Sequence, residues 1–320
     1  MSEEPQKSSS SCGGDCSRRD VVKTLATGAA ALGVGAAAMA STKITEQDQK
    51  EREMSREDFD GYFKKNYRVM TDAERQATIA RLEYKAKERY SKAINMSGSL
   101  AEAGVLFGYA FNLSRCDGSR KCVQACVEEN NQDRSTDVQY IRMIEMDKGT
   151  FDVEHGTAEY DHVEVPDGKF FFGTQCHQCE NPPCVKVCPV GATWKENDGI
   201  VVIDYDWCVG CRYCQAACPY FARRFNWQEP SISDEEVNPD QHILGNRVRS
   251  KGVMEKCTFC VQRSRKGENP ACVEACPTGS RIFGNLLDPE SEIRQILATK
   301  KVFRFKEELG TEPKFWYFMD

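Results

Sequence analysis

Residues 176–189 read CHQCENPPCVKVCP, and residues 208–219 read CVGCRYCQAACP. The two runs hold eight cysteines, which are Cys176, Cys179, Cys184, Cys188, Cys208, Cys211, Cys214 and Cys218. Three closely spaced thiolates can hold three corners of one iron-sulfur cube, while a fourth, three residues on and followed by proline, points toward a second cube. Each run is therefore predicted to supply a ligand to its neighbour's cluster.

The second run has the spacing C-x2-C-x2-C-x3-C-P, which matches that of bacterial ferredoxins. A zinc ribbon is the alternative, because it also uses C-x2-C pairs. A zinc site needs four ligands for one ion, however, and has no use for a third cysteine followed by a C-P step. The spacing favours 4Fe-4S clusters over zinc.

The 320 residues include 17 cysteines, too many for an ordinary cytosolic protein. A secreted disulfide scaffold is the alternative explanation, but such scaffolds are usually small, and here the cysteines fall mainly in four tight groups. The length allows one large or two modest domains. The formal net charge of -6 gives no sign of the basic surface that binds nucleic acid, so no nucleic-acid partner is expected.

Residues 1–40 are predicted to be a twin-arginine export signal. Arg18 and Arg19 lie in a segment that resembles such a signal, and an apolar stretch rich in Ala and Gly follows. That stretch is poorer than the run of about 20 strongly apolar residues that spans a bilayer. Small residues at its end offer a cleavage site, although an uncleaved membrane anchor remains an alternative. Cys12 and Cys16 would leave with the signal, so neither is assigned a role.

Residues 41–110 contain no cysteine and are predicted to form a helical arm. Thr71 with Glu74 is a capping-box pattern, which marks the start of a helix. Beyond it, Ile79 and Leu82 recur on one face. This amphipathic arm is expected to pack on the cluster region, on itself or on a partner subunit.

The first cysteine group lies in FNLSRCDGSRKCVQACVEENN, residues 111–131, and contains Cys116, Cys122 and Cys126. Ser119 stands where a second cysteine would be expected. The outcome is a cube lacking one iron, a full cube with a serine oxygen or water at that corner, or an empty site. Because thiolate is the preferred soft ligand and a serine hydroxyl is a poor substitute at ordinary pH, a 3Fe-4S centre is predicted.

The last group lies in residues 256–279 and contains Cys257, Cys260, Cys272 and Cys276. The long gap in this group carries Arg263, Arg265 and Lys266. We expect a solvated loop there, with a docking patch for an acidic partner surface as the alternative.

Residues 287–320 are predicted to form a C-terminal helix and an aromatic tail. Asp288-Pro289 would begin the helix, with proline at its first position. The tail is the run Phe315–Phe318, which would either form a subunit interface or fold back on its own domain.

The four groups hold fifteen cysteines, one fewer than the sixteen that four cubes require, and the deficit falls on Ser119. Through QCHQCENPPCVKVCP, DGIVVIDYDWCVGCRYCQAACPY, EKCTFC and PACVEACPTG, the chain resembles the four-cluster ferredoxin-like subunits of membrane-associated oxidoreductases. These include the iron-sulfur subunits of polysulfide, tetrathionate, nitrate and dimethyl sulfoxide reductases, of periplasmic hydrogenases and of menaquinol-linked complexes of sulfate reducers. The resemblance covers residues 111–286. The expected fold class is α+β, with tandem bacterial-type, bis-cluster ferredoxin folds after the N-terminal helical arm.

The resemblance also implies which cysteines share a cluster. The implied ligand sets are Cys176, Cys179, Cys184 and Cys218; Cys208, Cys211, Cys214 and Cys188; Cys257, Cys260, Cys272 and Cys126; and Cys116, Cys122 and Cys276, with Ser119 at the open corner. The expected cofactors are three 4Fe-4S clusters and one 3Fe-4S cluster. In the family, the last of these sets lies toward the catalytic partner, and the inner pair leads toward the membrane quinone subunit.

The expected function is electron transfer without a substrate site. The chain has no G-x-G-x-x-G after a strand and no C-x-x-C-H motif, so nothing indicates a flavin or haem site. It would relay single electrons between an integral membrane quinone-reactive subunit and a catalytic or haem-containing redox subunit. The twin-arginine signal implies a location in the periplasm or on the outer face of the cytoplasmic membrane, with membrane association through partners. Two alternatives remain: an enzyme that binds substrate at the Ser119 corner, and a structural scaffold.

Overall fold

The computed structural model describes residues 70–136, 138–153, 155–161 and 165–320. The predicted export signal, 1–40, and the first part of the predicted arm, 41–69, lie outside the described residues.

The described residues form a mixed α+β structure. Its helices are α1 Asp72–Arg89, α2 Lys121–Glu129, α3 Pro183–Lys186, α4 Tyr213–Ala216, α5 Val261–Ser264, α6 Ala271–Glu274 and α7 Glu292–Thr299. Its strands are β1 Asn95–Ser97, β2 Phe107–Asn112, β3 Arg142–Asp147, β4 Lys169–Thr174, β5 Thr193–Lys195, β6 Val201–Ile203, β7 Arg223–Phe225, β8 Asp240–His242, β9 Met254–Lys256, β10 Arg281–Asn285, β11 Val302–Phe303 and β12 Phe315–Phe318. Within the described ranges, no helix is both long and apolar enough to cross a membrane.

Four helices begin at the same point of a cysteine run. In α2, α3, α4 and α6 the second residue is a cysteine, namely Cys122, Cys184, Cys214 and Cys272, which is the third cysteine of its run in all but α2, where Ser119 replaces one. The short helices α3, α4 and α6 end before a Cys-Pro step, because proline disfavours the α conformation of the residue that precedes it. Cys126 is followed by valine instead, and α2 continues past it to Glu129. The sequence of each run thus sets the length of its helix.

Helix α1 begins as the sequence predicts and packs against its own chain. Thr71 is the N-cap, and both capping-box hydrogen bonds with Glu74 are present. The buried face of the helix carries Leu82, which lies in an apolar cluster with Val237 and Ile243. The described part of the arm therefore packs on the loop that leads to the last cysteine group.

A four-stranded sheet joins parts of the chain that the sequence analysis kept separate. Its strand order is β10-β2-β12-β11. Strand β2 pairs antiparallel with β10 and parallel with β12, so that Tyr109 lies opposite Phe315. The predicted boundary between the arm and the cluster region at residues 110 and 111 falls inside β2. The run 107–112 is one largely buried strand, so residues on both sides of that boundary belong to the same sheet.

The predicted aromatic tail is a strand of this sheet. Phe315 and Tyr317 are both fully buried. The ring of Phe315 stacks on Tyr109 at 4.8 Å, and that of Tyr317 stacks on Phe172 at 4.5 Å. Of the two outcomes that the sequence left open, the tail takes the second, because its alternate aromatic side chains complete the core of its own domain.

Two other details differ from the sequence analysis. Helix α7 begins at Glu292 and not at Pro289, because Asp288 accepts backbone hydrogen bonds from Glu290 and Ser291 and closes a turn first. Arg265, expected in a solvated loop, has a side chain that is 1% exposed and forms an ion pair with Asp198 at 2.8 Å. Arg265 therefore ties the last cysteine group to the turn between β5 and β6.

Truncation of Phe315 tests the role of the tail. We expect Phe315→Ala to destabilise the loaded chain by about 3–5 kcal/mol, since it removes a buried ring from the core. The measurement is the thermal or denaturant unfolding midpoint. Met319→Ala is the matched control, because Met319 is 56% exposed and its truncation should cost less than about 0.5 kcal/mol. Equal effects of the two substitutions would contradict a core position for the tail.

Candidate iron-sulfur sites

Fifteen cysteines lie in the described part of the chain, and all of them are free thiols. Most are buried or half-buried, and Cys211 is exposed. Buried free thiols in such number fit metal ligation better than a disulfide framework, because each lies beside others of its own predicted set. Among the described residues, no three His, Cys, Asp or Glu side chains are close enough together to hold a single metal ion.

The first inner site is a cavity at the start of α3. Its wall contains four cysteines of one predicted set, Cys176, Cys179, Cys184 and Cys218. Burial is the main cause that raises the pKa of Cys179 to about 12, and the charges of the other three cysteines raise it further. A cluster in this cavity would bind the four cysteines as thiolates and supply the positive charge that buried thiolates require.

The second inner site is a cavity beside α4, and its wall contains Cys188, Cys208, Cys211 and Cys214. Burial is again the largest cause that raises the pKa of Cys214, here to about 11. One corner of this site reaches the surface at the exposed Cys211. This cavity therefore combines a buried side with a solvent-facing side.

The Cys126 site, with Cys257, Cys260 and Cys272, is the most deeply buried. The amide of Asn130 donates toward Cys126 Sγ at 3.5 Å and toward Cys260 Sγ at 3.6 Å, and the Gln132 amide lies 3.3 Å from Cys126 Sγ. Amide donors to sulfur stabilise the negative charge of a ligated cluster and tune its potential. The sequence analysis missed these two residues, although the polar run Asn130 to Gln132 directly after a cysteine group was the available signal.

The fourth site brings Cys116, Cys122 and Cys276 together with Ser119 around one cavity. Asp117 lines the same cavity, and its carboxylate accepts a hydrogen bond from the Ser119 backbone amide at 3.0 Å. Burial raises the pKa of Cys116 to about 12. The site therefore offers three cysteine sulfurs and no fourth cysteine, while Ser119 and Asp117 offer oxygens of the kind that iron-sulfur cubes use poorly.

Buried polar atoms beside the cavities also fit iron-sulfur clusters. Arg223 lines both inner cavities, and its Nε and Nη1 atoms are buried with no protein partner in the described part of the chain. Arg281 lines the Ser119 cavity, and its Nε is likewise buried without a partner there. Orphaned donors of this kind are rare in folded proteins, whereas the sulfur atoms of a bound cluster would accept from them. The residues present thus fit the expected cofactors.

His177, inside the first central run, is buried and stays neutral. Burial, followed by the charge of Arg142, lowers its pKa to about 3. Its Nε2 lies 3.4 Å from Thr174 Oγ1 and 3.3 Å from Tyr317 Oη, and its ring stacks on Phe315 at 4.9 Å. His177 therefore packs the tail strand against the first inner site, and its contacts are with hydroxyls and rings.

Electrostatic coupling between three cysteine pairs indicates which of the four sites are neighbours. After burial, the charge of Cys176 is the largest cause that raises the pKa of Cys257. The charge of Cys122 likewise raises the pKa of Cys272, and that of Cys184 raises the pKa of Cys214. Each pair joins two different predicted sets. The resulting order is Ser119 site, Cys126 site, first inner site and second inner site.

Comparison with known proteins agrees with the iron-sulfur sites predicted from the cysteine runs. Residues 168–237 and 243–286 match the family described as 4Fe-4S dicluster domain. The chain is 36% identical to a selenate reductase subunit of Mesobacillus selenatarsenatis, over 94% of this chain and 96% of that protein. It is 42% identical to Hdr-like menaquinol oxidoreductase iron-sulfur subunit 1 of Archaeoglobus fulgidus, over 61% and 71% of the two chains. It is 35% identical to the menaquinone reductase iron-sulfur cluster-binding subunit of Nitratidesulfovibrio vulgaris, over 68% and 91%.

Proposed function

Because this chain belongs to the family of iron-sulfur electron-transfer subunits of respiratory oxidoreductase complexes, we propose that it is a four-cluster wire between two redox partners. The chain carries electrons and is not the catalytic subunit. One partner would be an integral membrane quinone-reactive subunit, and the other a catalytic or haem-containing redox subunit. Clusters bound in the four sites would supply one-electron redox chemistry. The protein's own residues would bind the clusters, shield them from water and balance their negative charge.

The proposed arrangement is two bis-cluster ferredoxin units in tandem. The inner unit would hold one cluster on Cys176, Cys179, Cys184 and Cys218 and one on Cys208, Cys211, Cys214 and Cys188. The outer unit would hold one on Cys257, Cys260, Cys272 and Cys126 and one on Cys116, Cys122 and Cys276. The observation that carries this proposal is that three of the four predicted sets line separate cavities, while charge coupling of Cys122 with Cys272, Cys176 with Cys257 and Cys184 with Cys214 links neighbouring sets.

The cluster at the Ser119 end is proposed to be 3Fe-4S and the other three 4Fe-4S. Three cysteine sulfurs line that cavity, no fourth cysteine does, and Ser119 and Asp117 contribute oxygens to its wall. Iron in a cube prefers thiolate over either oxygen ligand. The corner iron is therefore the one that this site holds least tightly.

Substitution of Ser119 tests both the cluster count and the cluster type. The purified chain, air-oxidised, should give a low-temperature EPR signal of an oxidised 3Fe-4S centre, and dithionite should bring up 4Fe-4S signals. Ser119→Cys should remove the oxidised signal and raise the iron content by one atom per chain, because it completes the thiolate set. Ser119→Ala is the control and should leave the signal in place.

Other outcomes of that experiment would contradict the proposal. Iron for only three clusters in the wild-type chain would mean that the Ser119 site is empty and the wire shorter. Clusters that stay redox-silent at accessible potentials would favour the scaffold role. Iron near background with zinc present would contradict the whole proposal.

The end of the wire at the second inner site is proposed as the docking surface for the membrane subunit. Cys211 is exposed there, beside a set of exposed apolar side chains, which are Val187, Val209, Tyr213 and Trp227. Arg212 lies over the Trp227 ring at 4.7 Å. An aromatic and apolar patch with one arginine is typical of protein interfaces. Two relatives are named for menaquinol or menaquinone reactions, which supports a quinone-reactive subunit as the occupant.

Charged substitutions in this patch test the docking surface. Tyr213→Asp and Trp227→Asp should reduce the amount of chain retained on washed membranes severalfold, because a carboxylate would be buried unpaired in the interface. EPR of the same variants should show unchanged clusters. Leu309→Asp is the control, since Leu309 is also exposed but lies outside the patch. Equal retention of patch variants and control would contradict this surface.

Export by the twin-arginine route is also proposed. The segment around Arg18 and Arg19 supports it, and so does the need to assemble clusters before the chain crosses the membrane folded. The paired substitution Arg18→Lys with Arg19→Lys should leave the chain in the cytoplasm, detected by cell fractionation and by protection from protease added to spheroplasts. Lys23→Arg is the control and should be exported. Normal export of the paired variant would rule out this route.

A further inference from the structure

Two buried arginines occupy the same position in two of the cysteine runs. Arg223 follows Cys218 by five residues, and Arg281 follows Cys276 by five residues. Each is the first residue of the strand that leaves its Cys-Pro step, β7 for Arg223 and β10 for Arg281. Their exposures are 1% and 3%. Because arginine is almost never buried without a charged partner, two such residues at equivalent positions require an explanation.

Arg223 lies between the two inner sites. Its Nη2 donates to Cys184 Sγ at 3.0 Å and to Thr193 Oγ1 at 3.0 Å. The residue lines both inner cavities. Arginine stays protonated in proteins, so the guanidinium is a positive charge in the walls of two cavities, one containing Cys184 and the other Cys214.

Arg281 holds the corresponding place between the two outer sites. Its Nη1 donates to Gln175 Oε1 at 2.8 Å and to Tyr109 Oη at 3.3 Å. Tyr109 Oη in turn lies 3.3 Å from Cys272 Sγ. Arg281 also lines the Ser119 cavity together with Cys122, so this permanently charged side chain adjoins Cys122 directly and Cys272 through Tyr109. Cys122 and Cys272 again belong to two different cluster sets.

Each pair of sites has one arginine and not two. The residue five positions after Cys188 is Thr193, and the residue five positions after Cys126 is Asn131. Thr193 is buried, and its hydroxyl accepts one of the hydrogen bonds of Arg223. Thr193, which follows the run that has no arginine, thus holds Arg223 of the other inner run in place by a hydrogen bond.

We propose that Arg223 and Arg281 are the residues that set the reduction potentials of the inner and outer cluster pairs, each through one positive charge shared by both members of its pair. The proposal rests on the four-cluster arrangement described above. A reduced cluster carries one more negative charge than an oxidised one, so a nearby buried cation stabilises the reduced form and raises the potential. Because each guanidinium lies between two sites, it raises both potentials together and limits the difference between neighbouring steps of the wire.

The test is a potentiometric EPR titration of the purified full chain with single substitutions. Arg223→Gln should lower the midpoint potentials of both inner clusters and leave those of the outer pair nearly unchanged. Arg281→Gln should lower the midpoint potentials of both outer clusters and leave those of the inner pair nearly unchanged. The expected size is about a tenfold fall in the ratio of reduced to oxidised cluster at a fixed ambient potential, or 59 mV for a one-electron couple. Arg223→Lys and Arg281→Lys keep the charge and should retain most of the wild-type potential.

Arg224→Gln is the matched control. Arg224 is the next residue of β7, and its side chain donates to the Gln139 carbonyl and lines neither inner cavity. Its substitution removes the same charge from the same strand and should cause a clearly smaller shift. Iron and sulfide analysis of every variant separates a changed potential from a lost cluster.

Three results would overturn the proposal. The first is a shift in the glutamine variants no larger than that of Arg224→Gln, with all clusters present. The second is a uniform shift of all four clusters in either variant. The third is a fall in potential in the lysine variants as large as that in the glutamine variants, with all clusters present, because the lysine variants keep the positive charge. Wild-type chain without clusters would instead contradict the function proposed above.

Discussion

The constraint on which this structure depends is the concentration of fifteen free cysteines, most of them buried or half-buried, in the described part of the chain. A buried thiolate is unfavourable in a low-dielectric interior, as the raised pKa values near 12 of Cys116, Cys179 and Cys257 indicate. Iron offsets that cost, and the protein adds a few well-placed positive charges and hydrogen-bond donors. Metal binding is then part of folding, because the ligands must lose their protons to be held in these positions.

The central sheet fixes the positions of the elements that surround the four candidate sites. Strands from three distant parts of the chain meet in the order β10-β2-β12-β11. The aromatic side chains of β2 and β12 fill the space between the first inner site and the outer sites, with His177 stacked on Phe315. Ion pairing of Arg265 with Asp198 fastens the last cysteine group to the hairpin of the inner unit. Rigidity of this kind keeps distances between sites constant, which electron transfer requires.

Much of the site could be predicted from the sequence because cysteine spacing carries its own geometry. The short helices end at the Cys-Pro steps, the capping box at Thr71 begins α1, and the membership of the family follows from the runs themselves. Alignment of one cysteine run against another shows that Ser119 stands where the other run has a cysteine. Such local features depend on neighbours a few residues apart, so they need no knowledge of the fold.

The sequence by itself determined the candidate ligands, the local helices and the electron-transfer class of this protein. Only the tertiary structure decided that Phe315–Phe318 is an inner strand, that Arg265 is buried, and that Arg223 and Arg281 lie between cluster sites. The physical reason is the range of the interactions involved. The spacing of a cysteine run can be read from neighbouring residues. The burial of a strand or a charged side chain depends on which distant parts of the chain pack against it, and a local sequence pattern does not contain that information.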